Sequence, residues 1–288
     1  MYTFIVNPAA GNGYALKTEA LIRAEMDKRH LPYEFMHTQH PENAMELSRK
    51  AAEKAECRCV VAVGGDGTAY EVACGLMNTG TPMGIIPSGT GNDFIKTVDI
   101  PKKPMDALEA ILNGKPRPVD VGRLNRRIFL NVCGTGFDVQ ALEYTLAAKK
   151  YCRGLLPYLI GVIRAIFTFK PVHVAFTVDG ETQERDVLLC AVANGKFIGG
   201  GIPVCPDAKA DDGLLDMVIV ETKPRWKIPF YLPGLMMGRI DSFKITTHKR
   251  CSTMTILSPG MHLNVDGEIL TMDKAEFEIL PGKLMLYW

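Results

Sequence analysis

Three glycine-rich turns, each directly after a short apolar run, constrain this chain more than any other feature. Asn7-Pro8-Ala9-Ala10-Gly11-Asn12-Gly13 ends the run at 2–7, and Gly64-Gly65-Asp66-Gly67-Thr68 ends Val60-Val61-Ala62-Val63. Pro87-Ser88-Gly89-Thr90-Gly91-Asn92-Asp93-Phe94 ends the run at 83–87. A fourth run lies at 33–38. Helical periodicity separates the runs. At 43–55 Ala44, Leu47, Ala51 and Ala55 share a stripe, and Asn43 with Glu46 predicts a capping box. At 104–113 Met105, Leu108 and Leu112 share a face, and Gly114 is the expected stop. Strand–helix alternation implies a parallel sheet covered by helices. Such sheets bind ligands beyond the carboxyl ends of their strands, so the three turns converge on one crevice.

The residue types in the turns point to phosphate chemistry. Small residues let backbone N–H groups approach phosphate oxygens. Taken alone, the first turn reads as a plain βα connection and the third as an Asn-Asp turn entering a helix. The second is more specific, because a structural turn rarely needs three glycines in four positions beside an acid. Asp66 suits a magnesium–nucleotide or a ribose hydroxyl, and Thr68 suits a hydroxyl hydrogen bond or a helix cap. The conjunction of the three carries the reading. It is not a P-loop, since G-x-x-x-x-G-K-[ST] is absent.

Beyond about residue 120 strands follow strands. The runs at 172–178 and 185–192 flank Asp179-Gly180, a hairpin signal. The segments 215–220, 243–247, 253–257 and 275–280 also read as strands, and 142–169 as helical. The expected architecture is an N-terminal α/β domain with a parallel sheet, residues 1–120, and a C-terminal antiparallel β-sandwich domain, residues 121–288. The last residues are free to return to the first domain. The length of 288 residues suits one large or two modest domains, and 47% apolar with 23% charged residues excludes disorder and coiled coil. Eight cysteines without a C-x-x-C pair argue against zinc ribbons and thioredoxin-like sites. The N-terminal residues lack the pattern of a signal peptide, so a cytoplasmic protein with reduced thiols is expected.

In this order and spacing the turns resemble the nucleotide-binding motifs of the diacylglycerol kinase catalytic-domain family, which includes bacterial soluble lipid kinases and sphingosine kinases. Gly134-Thr135-Gly136-Phe137-Asp138, Asn194-Gly195 with Gly199-Gly200-Gly201, the segment 206–215 and Val265-Asp266-Gly267-Glu268 resemble the family's later motifs. The resemblance spans essentially the whole chain. It implies a nucleotide domain related to NAD kinases, a β-sandwich, ATP and Mg2+, and γ-phosphoryl transfer to a lipid hydroxyl. Diacylglycerol giving phosphatidic acid, in phospholipid metabolism, leads among the acceptors. It places ATP contacts on Asn7, Pro8, Ala9, Ala10, Gly11, Thr38, Gly64, Gly65, Asp66, Gly67, Thr68, Ala69, Tyr70, Glu71 and Thr90. Asp66 and Asp93 would organise the phosphates and catalytic magnesium, and Glu268 would be the general base. A structural magnesium would take the Asp212 carboxylate with the carbonyls of Lys209 and Leu214. The chain departs from the family pattern at Tyr70, where Asn is frequent, and at Tyr14, where a basic residue is common.

The tetrapeptide Val-Asp-Gly-Glu occurs twice, at 178–181 and 265–268. Only its second copy follows the proposed metal segment, so Glu268 is the expected base and the first copy an ordinary hairpin. Other readings are an NAD kinase-like enzyme with a soluble substrate, which shares the GGDGT turn, and a non-catalytic nucleotide-binding regulatory protein. The intact Asp66, Asp93 and Glu268 argue against the latter.

The net charge of +1 argues against a nucleic-acid partner. It conceals an asymmetry. Residues 1–120 carry 13 Lys and Arg against 15 Asp and Glu, whereas residues 121–288 carry 20 against 17. Two stretches hold no acid. Residues 144–178 contain Lys149, Lys150, Arg153, Arg164 and Lys170 beside Leu155, Leu156, Tyr158, Leu159, Ile160, Ile166, Phe167 and Phe169. Residues 222–240 contain Lys223, Arg225, Lys227 and Arg239 beside Trp226, Phe230, Tyr231, Leu232, Leu235, Met236 and Met237. Neither reaches the roughly 20 apolar residues of a membrane span. A peripheral membrane surface is the partner that this composition suits, the competing reading being a helix and loop packed on the sandwich. A homodimer is left open.

Overall fold

The computed structural model describes residues 1–152 and 156–288; Arg153 and Leu155 of the first acid-free stretch lie outside the described residues. The chain forms two compact units. One comprises Met1–Val121, Ala210–Gly213 and Leu280–Trp288, the other Gly122–Lys209 and Leu214–Ile279.

The first unit is α/β. Its elements are β1 (Tyr2–Val6), α1 (Tyr14–Lys28), β2 (Tyr33–His37), α2 (Asn43–Ala52), β3 (Cys59–Gly64), α3 (Asp66–Leu76), β4 (Met83–Pro87), α4 (Asp93–Thr97), α5 (Pro104–Asn113) and most of β5 (Pro116–Leu124). The pairs β1–β2, β1–β3 and β3–β4 are parallel. β1 lies between β2 and β3, β4 follows β3, and a last strand over 280–287 joins β4 through Leu286 opposite Met83. Every residue of β1, β3 and β4 is buried. That explains their continuous apolar runs, because both faces of a helix-covered parallel sheet are dry. The order reverses between β1 and β3, and beyond the carboxyl ends of these strands lie the first two glycine turns, at the switch point of an open parallel sheet.

The start of α2 differs from the capping box. Glu42 precedes the helix in the left-handed region, with φ 66°. The Glu71 carboxylate, arriving from α3, accepts the N–H groups of Glu42 and Ala44 at 3.0 Å each. Asn43 instead accepts the Gln39 N–H and donates to Glu46. A tertiary acid thus serves the end that the local motif was expected to serve.

The second unit contains the end of β5 followed by β6 (Arg127–Phe129), β7 (Val132–Gly136), α6 (Phe137–Ala148), α7 (Leu156–Thr168), β8 (Val172–Val178), β9 (Glu181–Ala193), β10 (Phe197–Ile198) and β11 (Ile202–Pro203). Then come β12 (Leu215–Glu221), α8 (Ile228–Met236), β13 (Thr246–Cys251), β14 (Thr253–Val265) and β15 (Glu268–Tyr287), whose end is the last strand of the first unit. The ladders β8–β9, β9–β12, β12–β13, β7–β9, β7–β14 and β14–β15 are antiparallel. Alternation sorts two cores. Leu215, Met217 and Ile219 of β12 enter one with Cys190 and Val192 of β9, while Val218, Val220, Ala191 and Ala193 enter the other. The second core also holds Phe169 and Ile228, which close the helical side.

Two expectations are corrected. The helical stretch begins earlier, at Phe137, and comprises two helices rather than one over 142–169. The segment 243–247 is not a strand from its start. Phe243 closes a 3-10 turn over Ile240–Ser242, its ring packs on Tyr231 with centroids 5.1 Å apart, and pairing begins at Thr246. An aromatic anchor overrides the local β-propensity.

In the first unit, buried Asp120 ties three distant parts of the chain. Its Oδ2 accepts Gly213 N–H and its Oδ1 accepts Gly282 N–H, both at 2.7 Å, while its own N–H donates to Ala210. Replacing it with alanine leaves two amide donors without their acceptor, at about 1–3 kcal/mol each. Asp120→Ala is therefore expected to lower unfolding free energy by about 2–6 kcal/mol, read as a reduced urea midpoint.

Candidate active site

In the first unit the three turns are bound to one another. Gly64 carbonyl accepts the N–H groups of Ser88 and Gly89 at 2.7 and 3.1 Å. A Cβ on Gly89 would lie 2.4 Å from the Gly65 Cα, and one on Gly11 would lie 2.3 Å from the Ser88 carbonyl oxygen. These glycines are required for backbone to meet backbone. Asn7 fastens the first turn, its Oδ1 accepting Ala9 N–H and its Nδ2 donating to Thr68 Oγ1 at 3.2 Å. Thr68 lies inside α3, with Gly65 before the helix, so its hydroxyl receives Asn7 rather than capping.

Asp66 Oδ1 accepts the N–H groups of Asp93 and Phe94, at 2.6 and 3.2 Å, at the start of α4. Burial and then the Asp93 charge raise the Asp66 carboxyl above the usual range, opposed by those N–H groups. Buried Asp93 accepts Lys96 Nζ at 2.9 Å. A hard divalent cation suits such a carboxylate pair. The other expected contacts are distributed unevenly. Pro8, Ala9, Ala10 and Thr38 flank the ends of β1 and β2, and Thr90 is exposed. Tyr70 is half-buried and Ala69 is buried. The Glu71 carboxylate serves the start of α2. Beside Gly13 and Gly67 the space is open, with no heavy atom within 4 Å of an added Cβ. Gly67 lies in the first turn of α3, where helix amide donors collect, so the residues present fit a phosphate chain. In the anticipated metal segment, Asp212 precedes the Gly213 held by Asp120. Among the described residues no three His, Cys, Asp or Glu side chains cluster as metal ligands. The expected set, the Asp212 carboxylate with the carbonyls of Lys209 and Leu214, would consist of hard oxygen donors, with a single side chain among them.

In the second unit Glu268 opens β15, opposite Val265 of β14. It is exposed and pairs with Arg127 at 3.1 Å. Asp266 Oδ1 and Oδ2 accept the N–H groups of Leu130, Asn131 and Val132 at 2.6, 3.0 and 3.0 Å. Those residues also meet the Asn194-Gly195 motif. The Leu130 carbonyl accepts Asn194 Nδ2, and the Asn131 carbonyl accepts both Asn194 and Gly195 N–H. Sequence reading named the motifs but not this junction at 130–132, nor Asp120. A lone acid and a stretch of backbone carry no local signature. Asp138 of the Gly134–Asp138 motif is half-buried at the start of α6, its Oδ1 shut off from solvent and its Oδ2 accepting Asn264 Nδ2 at 3.3 Å. Burial pushes its carboxyl up to about 6, partly offset by the Val139 N–H and the Asn264 amide.

The chain belongs to the diacylglycerol kinase catalytic-domain family. The description "Diacylglycerol kinase catalytic domain" matches residues 1–124, and "YegS C-terminal NAD kinase beta sandwich-like domain" matches residues 131–288. A Pseudomonas aeruginosa protein named "Probable lipid kinase YegS-like" is 34% identical over 79% of this chain and 76% of its own. The Bacillus subtilis protein named "Diacylglycerol kinase" is 28% identical over 95% and 91%. A crystal structure of "a putative diacylglycerol kinase" from Bacillus anthracis str. Sterne superposes with a TM-score of 0.81 at 27% identity, covering 100% of this chain and 97% of that one.

The raised Asp138 carboxyl has a consequence for stability. An acid held above its unfolded value contributes fully below about pH 4, and its contribution is lost as pH rises through about 6. Asp138→Asn is expected to match the wild type below pH 4 and to exceed it by up to about 3 kcal/mol above pH 7, measured by urea unfolding across pH.

Proposed function

We propose that this protein is an ATP- and Mg2+-dependent lipid kinase that transfers the γ-phosphoryl group of ATP to a lipid hydroxyl, with diacylglycerol the leading acceptor and phosphatidic acid its product. The observation that carries this reading is the interlocked set of glycine turns around half-buried Asp66 and buried Asp93 at the carboxyl ends of β1, β3 and β4. The names of the relatives support the lipid acceptor. In this reading the acceptor oxygen attacks the γ-phosphorus, the bond from that phosphorus to the β,γ-bridging oxygen breaks, and ADP leaves. Glu268 takes the hydroxyl proton, a contribution typically worth about 10²–10⁴-fold in rate. The backbone amides at 9–11 and 65–68 orient the triphosphate. Mg2+ supplies charge neutralisation when bound near Asp66 and Asp93, and a second ion on Asp212, with the Lys209 and Leu214 carbonyls, supports the loop. Positioning and charge neutralisation are the main requirements of phosphoryl transfer.

Access to the acceptor is proposed at a bilayer surface. Among the described residues no helix is long and apolar enough to cross a membrane. Leu156, Leu159, Ile160, Ile163 and Phe167 of α7 are exposed, as are Trp226, Phe230, Met236 and Met237. Arg225 donates to the Phe167 carbonyl, and Trp226 packs edge-on against Phe230, which joins the two groups. Phe169 is buried, and Ile166 and Tyr231 pack on the core, so they do not contribute.

Three measurements bear on this reading. With radiolabelled ATP and a lipid panel in mixed micelles, diacylglycerol is expected to be labelled and NAD is not; labelled NAD would favour a soluble-substrate kinase. Glu268→Gln is expected to lower kcat by about 10²–10⁴-fold while ATP still binds, whereas Glu181→Gln leaves it unchanged. In vesicle sedimentation, anionic liposomes are expected to retain the protein more strongly than neutral ones, and Phe167→Asp with Phe230→Asp to weaken retention on both. Equal retention on the two compositions would remove the electrostatic component.

A further inference from the structure

Both copies of Val-Asp-Gly-Glu form the same hairpin. In the first, Val178 pairs with Glu181 across a turn with Asp179 at φ 53° and Gly180 at φ 81°. In the second, Val265 pairs with Glu268, with Asp266 at φ 48° and Gly267 at φ 96°. Two successive positive φ values define a type I′ turn, for which Asp-Gly is a favoured pair. The local backbone therefore does not distinguish the copies.

Their surroundings do. Among the described residues Asp179 accepts no N–H group, and Glu181 is exposed with no ion pair. Asp266 receives three N–H groups from 130–132 and donates its own N–H to the Val132 carbonyl at 3.2 Å. On the other side of the turn, Asn264 Oδ1 accepts Gly267 N–H at 2.9 Å, and Asn264 Nδ2 is held by Asp138. Val178 before the first turn pairs with Met254, but the turn itself receives no such set of N–H groups, whereas the second turn is fixed at both corners. A carboxylate accepting three backbone donors is far more than a hairpin needs for its own register. We infer that Asp266 is a positioning residue, which fixes the direction in which Glu268 leaves the turn, and that this fixation rather than the tetrapeptide separates the functional copy from its structural twin.

This inference rests on the reading of Glu268 as base. Side chains beside a reacting centre must be held closely, and a misplacement of about 1 Å can cost about 10²-fold in rate. Asp266→Asn keeps size and turn preference but offers a neutral oxygen and a competing NH2 group to the same three donors. A shifted hairpin then lowers turnover without altering the nucleotide turns.

The duplicated hairpin supplies matched controls. No heavy atom lies within 4 Å of an added Cβ at Gly267 or at Gly180, and both have positive φ. Gly267→Ala and Gly180→Ala thus impose the same backbone strain without a packing clash. The experiment measures kcat, KM for ATP and Tm for Asp266→Asn, Gly267→Ala, Asp179→Asn and Gly180→Ala, using diacylglycerol in mixed micelles or whichever lipid of the panel turns over. Asp266→Asn is repeated in a Glu268→Gln background. The expected result is a kcat lowered by about 10- to 100-fold in Asp266→Asn and Gly267→Ala. KM for ATP stays within about twofold, and the two glycine variants lose similar Tm, while Asp179→Asn and Gly180→Ala retain kcat. In the Glu268→Gln background Asp266→Asn causes no further loss, because residues acting as a unit are not additive. A kcat in Asp266→Asn and Gly267→Ala equal to that of their twins overturns the positioning role alone. So does an equal loss in both backgrounds, which would mark a general structural effect. If Asp266→Asn does not fold, the matched glycine pair decides. Near-normal turnover of Glu268→Gln itself overturns the base assignment, and the positioning role with it.

Discussion

The close approach of the turn at 64–67 to the turn at 88–94 is the constraint on which the first unit depends. One carbonyl, that of Gly64, holds two successive N–H groups, and one carboxylate, that of Asp66, holds the two that open α4. Backbone packed this closely excludes side chains at Gly65 and Gly89, and Gly11 is excluded by the Ser88 carbonyl in the same way. These glycines are therefore a consequence of turn-to-turn packing, whereas Gly13 and Gly67 lie beside open space.

Carboxylates that hold backbone amides recur through both units. Asp66 serves α4, Glu71 serves α2, Asp120 gathers Gly213 and Gly282, and Asp266 gathers 130–132. Each joins segments far apart in the chain, and each is stronger than a neutral hydrogen bond because the acceptor is charged. The arrangement also explains why acids named for nucleotide or metal contact are already engaged within the protein. For Asp66 the engagement fixes where the carboxylate points, which is what preorganised electrostatic stabilisation requires.

Much of the architecture was legible in the sequence, and the reasons are specific. Uniformly buried β1, β3 and β4 have no polar face to disguise them, and the Asp179-Gly180 hairpin announces itself through the two positive φ values it needs. The misreadings fall where a distant side chain overrides local preference. Phe243 packs on Tyr231 rather than extending a strand, and Glu71 takes the helix end expected to be capped locally. Strand β5 went unread because Pro116, Pro118 and Asp120 interrupt the apolar pattern, and β6 because its three residues are too few for a period to show.

The sequence by itself determined the two-part class of this chain, the order of its glycine turns, the acids beside them and its membership of a kinase family. Those properties follow from periodicity and from residue types that few other conformations tolerate. Only the tertiary structure decided which of two identical tetrapeptides is anchored. It also decided which acids are buried and which apolar residues of α7 and α8 face outward. The tetrapeptide copies have the same local preferences and make the same turn. What separates them is the set of N–H groups at 130–132, more than 130 residues away in the chain, which only folding brings to Asp266.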